Sequence, residues 1–447
     1  MNNELEIMAK EKKEENQIME NIISLAKRRG FIFQGSEIYG GLAGTWDYGP
    51  FGVALKQNIK NIWWKRFVTD RTDMYGMDAA ILMNQTAWKA SGHVSGFSDP
   101  LIECTKCKRR FRADQIEDIS KCPECGSKLG ESRQFNMMFK TNVGAIENED
   151  SVSYLRPETA QGMFVNFKNI LDTFHPKLPF GMAQIGKAFR NEIAPRDFIF
   201  RTREFEQMEI EYFVEPENWE KVFDEFVTEM HAFIKDVGIT KEKVSENEIA
   251  KDALAHYSKR TIDFEFDYPF GRKELYGLAY RTDFDLKAHS EMSKVDLSYF
   301  DEEKKTRFIP HVIEPSLGVD RTVLAILSSA YTEDELGGEK RAYLKLNPAV
   351  APVKIAVFPL LKNKEVLTAK AEEIFKSLKS EFSAVMYDEA GSIGKRYRKQ
   401  DEIGTPYCVT VDFDTLEKGI ATVRDRDTGE QEKVEVDKLI GYLSKKL

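Results

Sequence analysis

Phe189-Arg190-Asn191-Glu192, with Arg201-Thr202-Arg203-Glu204-Phe205-Glu206-Gln207-Met208-Glu209 close behind it, is the stretch on which the fold turns. Residues 180–190 read as one strand and residues 198–214 as its antiparallel partner, joined by a polar loop containing Pro195, Arg196 and Asp197. Arginine has two physical uses on such a hairpin. Its planar fork grips phosphate oxygens in pairs, and its flat face stacks on an aromatic or purine ring. Arginine and glutamate on a strand are more often a solvated face with weak ion pairs. What separates these readings lies far downstream, in Glu314-Pro315-Ser316-Leu317-Gly318-Val319-Asp320-Arg321. There a glycine ends a strand, an apolar helix follows, and a second arginine sits at the junction. Two such arginines can hold opposite ends of one nucleotide.

In this order and separation the two segments resemble motifs 2 and 3 of the class II aminoacyl-tRNA synthetases. The resemblance implies an α+β fold, with an antiparallel catalytic sheet, flanking helices and ATP held in a bent shape. By that resemblance Arg190 contacts the α-phosphate, and Glu192 reads the adenine edge. Phe205 and Arg321 cover the two faces of adenine, with Arg321 also reaching the γ-phosphate. Asn191, Phe200, Arg201, Arg203, Glu274, Leu275 and Gly318 complete the implied ATP site. Arg190 and Arg321 are the implied catalytic pair.

A narrower resemblance, from about Phe31 to the C-terminus, is to the glycine-specific members of that family, homodimers of a single polypeptide. It rests on Arg156-Pro157-Glu158-Thr159-Ala160-Gln161-Gly162, on Glu206 to Tyr212, on Lys273-Glu274-Leu275-Tyr276-Gly277, and on Arg281 to Leu286. It implies that Glu158, Glu209 and Glu314 surround the glycine ammonium, with Phe205, Gln207, Ser316, Arg281 and Arg112 in the same subsite. Such an enzyme joins glycine to tRNA(Gly) through a glycyl adenylate, with Mg²⁺ bridging the ATP phosphates and Glu274 either its ligand, direct or through water, or simply a surface carboxylate after Lys273. A substrate without a side chain must be selected by filling the space where larger ones would sit. Overpacking a rigid pocket costs on the order of 1 to 3 kcal/mol or more. Two other readings compete. A noncatalytic RNA-binding or regulatory protein on the same scaffold predicts loss of the motif arginines or of Gly318, all of which are present. A class IIa synthetase for another small amino acid keeps the chemistry and changes the substrate.

A chain of 447 residues with 42% hydrophobic and 31% charged residues is that of an ordinary globular protein with more than one core. No apolar run is long enough to span a bilayer. The opening Met1-Asn2-Asn3-Glu4-Leu5-Glu6-Ile7 carries acids where a signal peptide carries bases, so a cytoplasmic location is expected. A net charge of -9 argues against a nucleic-acid partner only if basic residues are scattered. They cluster at Lys106, Lys108, Arg109, Arg110 and Arg112, and at Lys395, Arg396, Arg398 and Lys399. Short basic runs are commonly solvated surface; within the resemblance, tRNA contact is the better reading.

Cys104, Cys107, Cys122 and Cys125 form the pattern C-x2-C-x14-C-x2-C. Paired thiolate knuckles suit tetrahedral Zn²⁺, and four sulfurs close the coordination sphere, so the site is expected to be structural. Two disulfides or an iron–sulfur cluster are the alternatives.

The organisation follows. Residues 1–348 are expected as the catalytic domain, with a zinc-ribbon insertion at about 101–130 and a helical insertion at about 215–262. A helix spaced on Ile18, Met19, Ile22, Ile23 and Leu25 ends at Gly30, and Pro50 opens another carrying Leu55, Ile59, Ile62, Trp63 and Phe67. By resemblance the second belongs to motif 1 and the dimer interface, although the motif 1 proline is not evident in residues 75–83. Residues 349–447 alternate strands and helices, as an α/β domain with a mixed sheet. They resemble the anticodon-binding domain of class IIa synthetases, where Tyr397 or Tyr407 can stack on an unpaired base or simply pack.

Overall fold

The computed structural model describes residues 17–116 and 118–447. The acidic opening segment read against a signal peptide lies outside the described residues. Among the described residues no helix is long and apolar enough to cross a membrane.

A seven-stranded sheet forms the centre of the larger domain. Its spatial order is Val244–Glu248, Arg260–Tyr268, Gly271–Thr282, His311–Gly318, Glu204–Val214, Phe180–Phe189 and Met74–Gly76, antiparallel except for the last pair. The predicted hairpin is present with a register that runs from Phe189 opposite Glu204 to Phe180 opposite Phe213. Its second strand starts at Glu204 rather than Phe198, because Asp197 and Phe198 take positive φ and turn the chain before pairing can begin.

Alternate side chains of a strand take opposite faces. Met208, Ile210, Tyr212 and Val214 enter the larger core, together with Leu55, Ile59 and Trp63 from the helix Pro50–Trp64. Phe213 enters a smaller core with Phe164 and Phe167 of the helix Ala160–Phe174. Gln207, Glu209 and Glu211 alternate with the larger-core residues and so share Phe213's face. One strand therefore builds a core on one side and a row of polar groups on the other. Pro50 starts its helix at the first helical position, as expected. Residues 215–262, expected as a helical insertion, join this main body. The helix Trp219–Asp236 buries Phe223, Phe226, Met230 and Phe233 in the larger core, and the strands that follow complete the sheet's edge.

The ribbon is a three-stranded sheet of Ser98–Glu103, Arg110–Arg112 and Arg133–Asn136. Ile102, Cys104, Cys122 and Leu129 make up its small core. The C-terminal domain has the expected mixed sheet, in the order Val385–Tyr387, Ile355–Pro359, Tyr407–Val411, Ile420–Asp425 and Gln431–Glu435. Its first three strands are parallel and the rest antiparallel. Of the basic run Lys395, Arg396, Arg398 and Lys399, Arg396 alone leaves the surface, while Lys395 is exposed and Arg398 and Lys399 are partly so. Arg396 is buried and donates to the carbonyls of Pro359 and Leu360, Lys399 pairs with Asp388, and Arg398 pairs with Glu339. Tyr397 packs against Phe358 with its hydroxyl on Thr410, so packing accounts for it.

Candidate active site

Arg190 leaves the end of the strand Phe180–Phe189, and Arg321 lies in the first turn of the helix Val319–Ala330. Gln207 pairs with Gly318 across the two central strands, and this register brings both arginines to one cavity of about 290 Å³. Phe205, Phe200, Glu192, Arg201, Glu274, Leu275 and Gly318 line it with them, as the sequence predicted. The Arg190 guanidinium sits between Phe97 and Phe205, 5.4 and 5.3 Å from the ring centroids, and its Nε donates to the Pro157 carbonyl at 3.1 Å. Arg321 lies 4.5 Å from the Phe200 ring centroid and 3.1 Å from Glu274 Oε2. These contacts fix each fork before a ligand arrives.

Glu192 Oε2 is buried without a hydrogen-bond partner. An orphaned acceptor in a cleft suits a donor such as an exocyclic amino group. Gly318 has ordinary backbone angles, φ -81° and ψ 121°. A Cβ there would sit at ordinary contact distance from Arg321, about 3.6 Å from its Cβ and Cγ, so neither backbone freedom nor clearance from the protein's own side chains requires the glycine. Two predicted ATP residues face elsewhere. Arg203 donates to the carbonyls of Ala43 and Glu192, bracing the loop from behind, and Asn191 is not among the cavity-lining residues.

Below the cavity lies a second layer. Gln207 and Ser316 form the floor, and both donate to Glu209 Oε1, Ser316 Oγ at 2.7 Å and Gln207 Nε2 at 3.3 Å. Glu209 Oε2 takes the Thr159 N–H at 3.0 Å. Glu158 lies 3.3 Å from His93 Nε2 and accepts from Gln161 Nε2 at 3.0 Å. Glu314 meets Arg281 Nη1 at 2.7 Å. The three predicted glutamates are thus brought together, while Arg281 is turned away from the cavity. It is fully buried, bidentate on Asp285 at 2.8 Å through Nε and Nη2, and 3.9 Å from the Tyr257 ring centroid. Arg281 balances the acids from behind. Arg112 reaches the cavity mouth from the ribbon and is held by Asp99 at 2.6 Å.

Charge is in excess here. Burial opposes ionisation of Glu158, but His93 and Arg281 outweigh it and hold its pKa below the usual carboxylate range. Burial and the neighbouring Glu158 push Glu209 up. Burial also drives Glu314 well up, against the pull of Arg281. A pocket in which Glu209 and Glu314 resist ionisation when empty, beside an already ionised Glu158, is suited to a cation. Arg156 secures the segment that carries Glu158. Its guanidinium donates to the carbonyls of Lys187 and Ala79 at 2.6 and 2.7 Å, and a Cβ at Gly186 would fall 2.3 Å from its Nη2.

Sequence reasoning missed Met137, Ile199 and Thr202 on the cavity wall, and His93, Thr159, Tyr257 and Asp285 beneath it. Asp285 stands inside the quoted Arg281 to Leu286 segment, four residues from its partner, and the i,i+4 spacing was a usable signal. Thr159 and Thr202 likewise stand inside quoted segments, whereas Met137, Ile199, His93 and Tyr257 carry no local pattern.

The four ribbon thiols lie within 4.8 Å of one another, with Cys104 Sγ 3.5 Å from Cys125 Sγ and Cys107 Sγ 3.7 Å from Cys122 Sγ. Disulfide sulfurs sit at about 2.05 Å. Metal–sulfur bonds of about 2.3 Å in a tetrahedron put sulfurs about 3.8 Å apart, so the donor set fits a metal ion.

An antiparallel sheet with an arginine-lined nucleotide cleft between its second and third motifs defines a class II tRNA synthetase core. Residues 139–330 match the family described as tRNA synthetase class II core domain (G, H, P, S and T), and residues 354–446 match the anticodon binding domain family. The chain is 51% identical to the glycine–tRNA ligase of Clostridium acetobutylicum, over 96% of this chain and 98% of that one. It is 51% identical to that of Caldanaerobacter subterraneus subsp. tengcongensis with the same coverage, and 50% identical to that of Bacillus anthracis over 96% and 99%. The chain belongs to the glycine–tRNA ligase family.

Proposed function

We propose that this chain activates glycine with ATP and transfers it to tRNA(Gly). The observation that carries this reading is the cavity shared by Arg190 and Arg321, floored by Gln207 and Ser316 over the acids Glu158, Glu209 and Glu314. The substrate ammonium seats on the acids, which places its carboxylate toward Arg190. That carboxylate is already a nucleophile and needs no base. It attacks the α-phosphorus, pyrophosphate leaves, and glycyl adenylate remains; a terminal ribose hydroxyl of tRNA then takes the glycyl group. Arg190 offsets the charge that develops on the α-phosphate, and Arg321 holds the far end of the folded triphosphate. Glu192 accepts from the adenine amino group.

Glu274, a half-exposed carboxylate beside Arg321, is suited to bind Mg²⁺, which when bound neutralises phosphate charge. Cys104, Cys107, Cys122 and Cys125 hold a structural Zn²⁺ that fixes the ribbon and with it Arg112, in keeping with a reducing, cytoplasmic setting. Ile38 and Tyr39, 88% and 87% exposed, lie in the segment leading to the helix Pro50–Trp64 and are covered in a homodimer through that face.

Pyrophosphate exchange across a panel of amino acids tests the assignment. Glycine drives exchange best; a different best substrate moves the chain to another class IIa specificity, and no exchange with any of them favours a binding protein.

A further inference from the structure

Glu211 lies two residues beyond Glu209 on the strand Glu204–Val214 and has no place in the mechanism above. Its side chain is completely buried, and neither carboxyl oxygen has a hydrogen-bond partner. Its carboxyl lies within 4.8 Å of those of Glu209 and Glu314. We propose that Glu211 is a positioning residue of the ammonium subsite, a neutral carboxylic acid whose O–H backs Glu209 and Glu314 so that they present their charge to the substrate. The inference rests on the glycine-activating reading of the site.

The row of side chains on this face explains the placement. Phe205 and Gln207 belong to the cavity, Glu209 to the layer beneath, and Phe213 to the apolar core. Glu211 is therefore the last polar group before hydrocarbon. The charged groups facing it are Glu209 on its own strand, Glu314 on His311–Gly318, Arg281 on Gly271–Thr282 and Asp285 on Phe284–Ser293. All three nitrogens of the Arg281 guanidinium already donate, two to Asp285 and one to Glu314. An anionic Glu211 would thus be a buried charge with no counter-ion and no donor, the costliest state a carboxyl can take. Burial and Glu314 drive its proton affinity well above that of an ordinary carboxyl, against a lesser pull from Arg281. As an acid it becomes a further donor toward Glu209 and Glu314, beside the Ser316, Gln207 and Thr159 donors of the one and the Arg281 donor of the other.

Glycine and ATP KM values in pyrophosphate exchange, measured for wild type, Glu211→Leu and Glu211→Gln, test this. Leucine keeps the volume and removes the donor; it should raise the glycine KM about tenfold and leave the ATP KM within about twofold. Glutamine supplies a neutral donor and should bring the glycine KM back to within about threefold of wild type. Between about pH 6.5 and 8.5 the glycine KM should show no titration that Glu211→Gln removes. An inert leucine variant overturns the proposal, as does a glutamine variant as impaired as leucine, because the latter makes the charge the working feature. A divalent ion bound stoichiometrically by wild type at this cluster and lost in Glu211→Gln overturns it too. If the leucine variant does not fold, the glutamine KM and the pH comparison decide. Wild-type protein that gives no glycine-dependent exchange sinks the parent reading instead, so the two failures are distinct.

Discussion

Lys56 and Asp320 form a buried ion pair, Nζ to Oδ1 3.3 Å, that ties the helix Pro50–Trp64 to the residue just before Arg321. The same ammonium lies 3.0 Å from Glu206 Oε2, and Asp320 Oδ2 accepts the Glu206 N–H at 2.8 Å. The segments that carry Phe205 and Arg321 are therefore joined beneath the nucleotide cavity. Asp320 itself lines that cavity, and without Lys56 its charge would repel a triphosphate. Breaking a buried pair leaves an uncompensated charge, so Lys56→Met is expected to destabilise the fold by about 3 kcal/mol. Denaturant unfolding measures that, and exchange kinetics should show the ATP KM rising more than the glycine KM. An ATP KM no more affected than that of glycine would separate Lys56 from the nucleotide.

Arg190→Ala should cut the exchange rate about 10²- to 10³-fold, the usual cost of removing a preplaced group that meets developing charge. Binding of tRNA should persist, because the anticodon-binding domain is separate from the cavity. A filter-binding assay run beside the exchange assay checks both; equal losses contradict the role.

Cys122→Ser removes one donor of four and should release the metal ion, measured by elemental analysis. Residues 101–130 should then exchange amide hydrogens faster, since among the described residues their core is Ile102, Cys104, Cys122 and Leu129 with Phe111, Ala113 and Ile116 packed against it. Metal content equal to wild type would refute the site.

Asp263 provides a pH test. Burial first, then Glu274 and Glu265, push its pKa up to about 7. A carboxyl raised in the folded state stabilises the fold while protonated, and that stability is lost as pH climbs from the unfolded value toward 7. Asp263→Asn should raise the unfolding midpoint relative to wild type by an amount that grows across this window and is constant above it. A stabilisation independent of pH would contradict the assignment.

Much of this was legible in the chain. The hairpin, the glycine at the end of the third motif's strand, the cysteine knuckles and the α/β alternation after residue 348 are patterns among neighbours, and neighbours in sequence are neighbours on an element. Misreadings came where a side chain's surroundings are set by distant residues. Lys395, Arg396, Arg398 and Lys399 look like a surface patch, yet Arg396 is buried by carbonyls some 36 positions earlier. Arg203 sits in the nucleotide motif yet serves the Ala43 and Glu192 carbonyls.

By itself the sequence determined which chemistry this protein carries, because forks for phosphate, thiolates for metal and carboxylates for an ammonium are properties of residue types at short spacings. The tertiary structure alone decided which of those groups face a substrate and which face one another. Arg281 and Glu314, 33 residues apart, neutralise each other, and Lys56 reaches Asp320 across 264 positions. Such partnerships depend on strand register and helix packing, which close over distances no local pattern encodes.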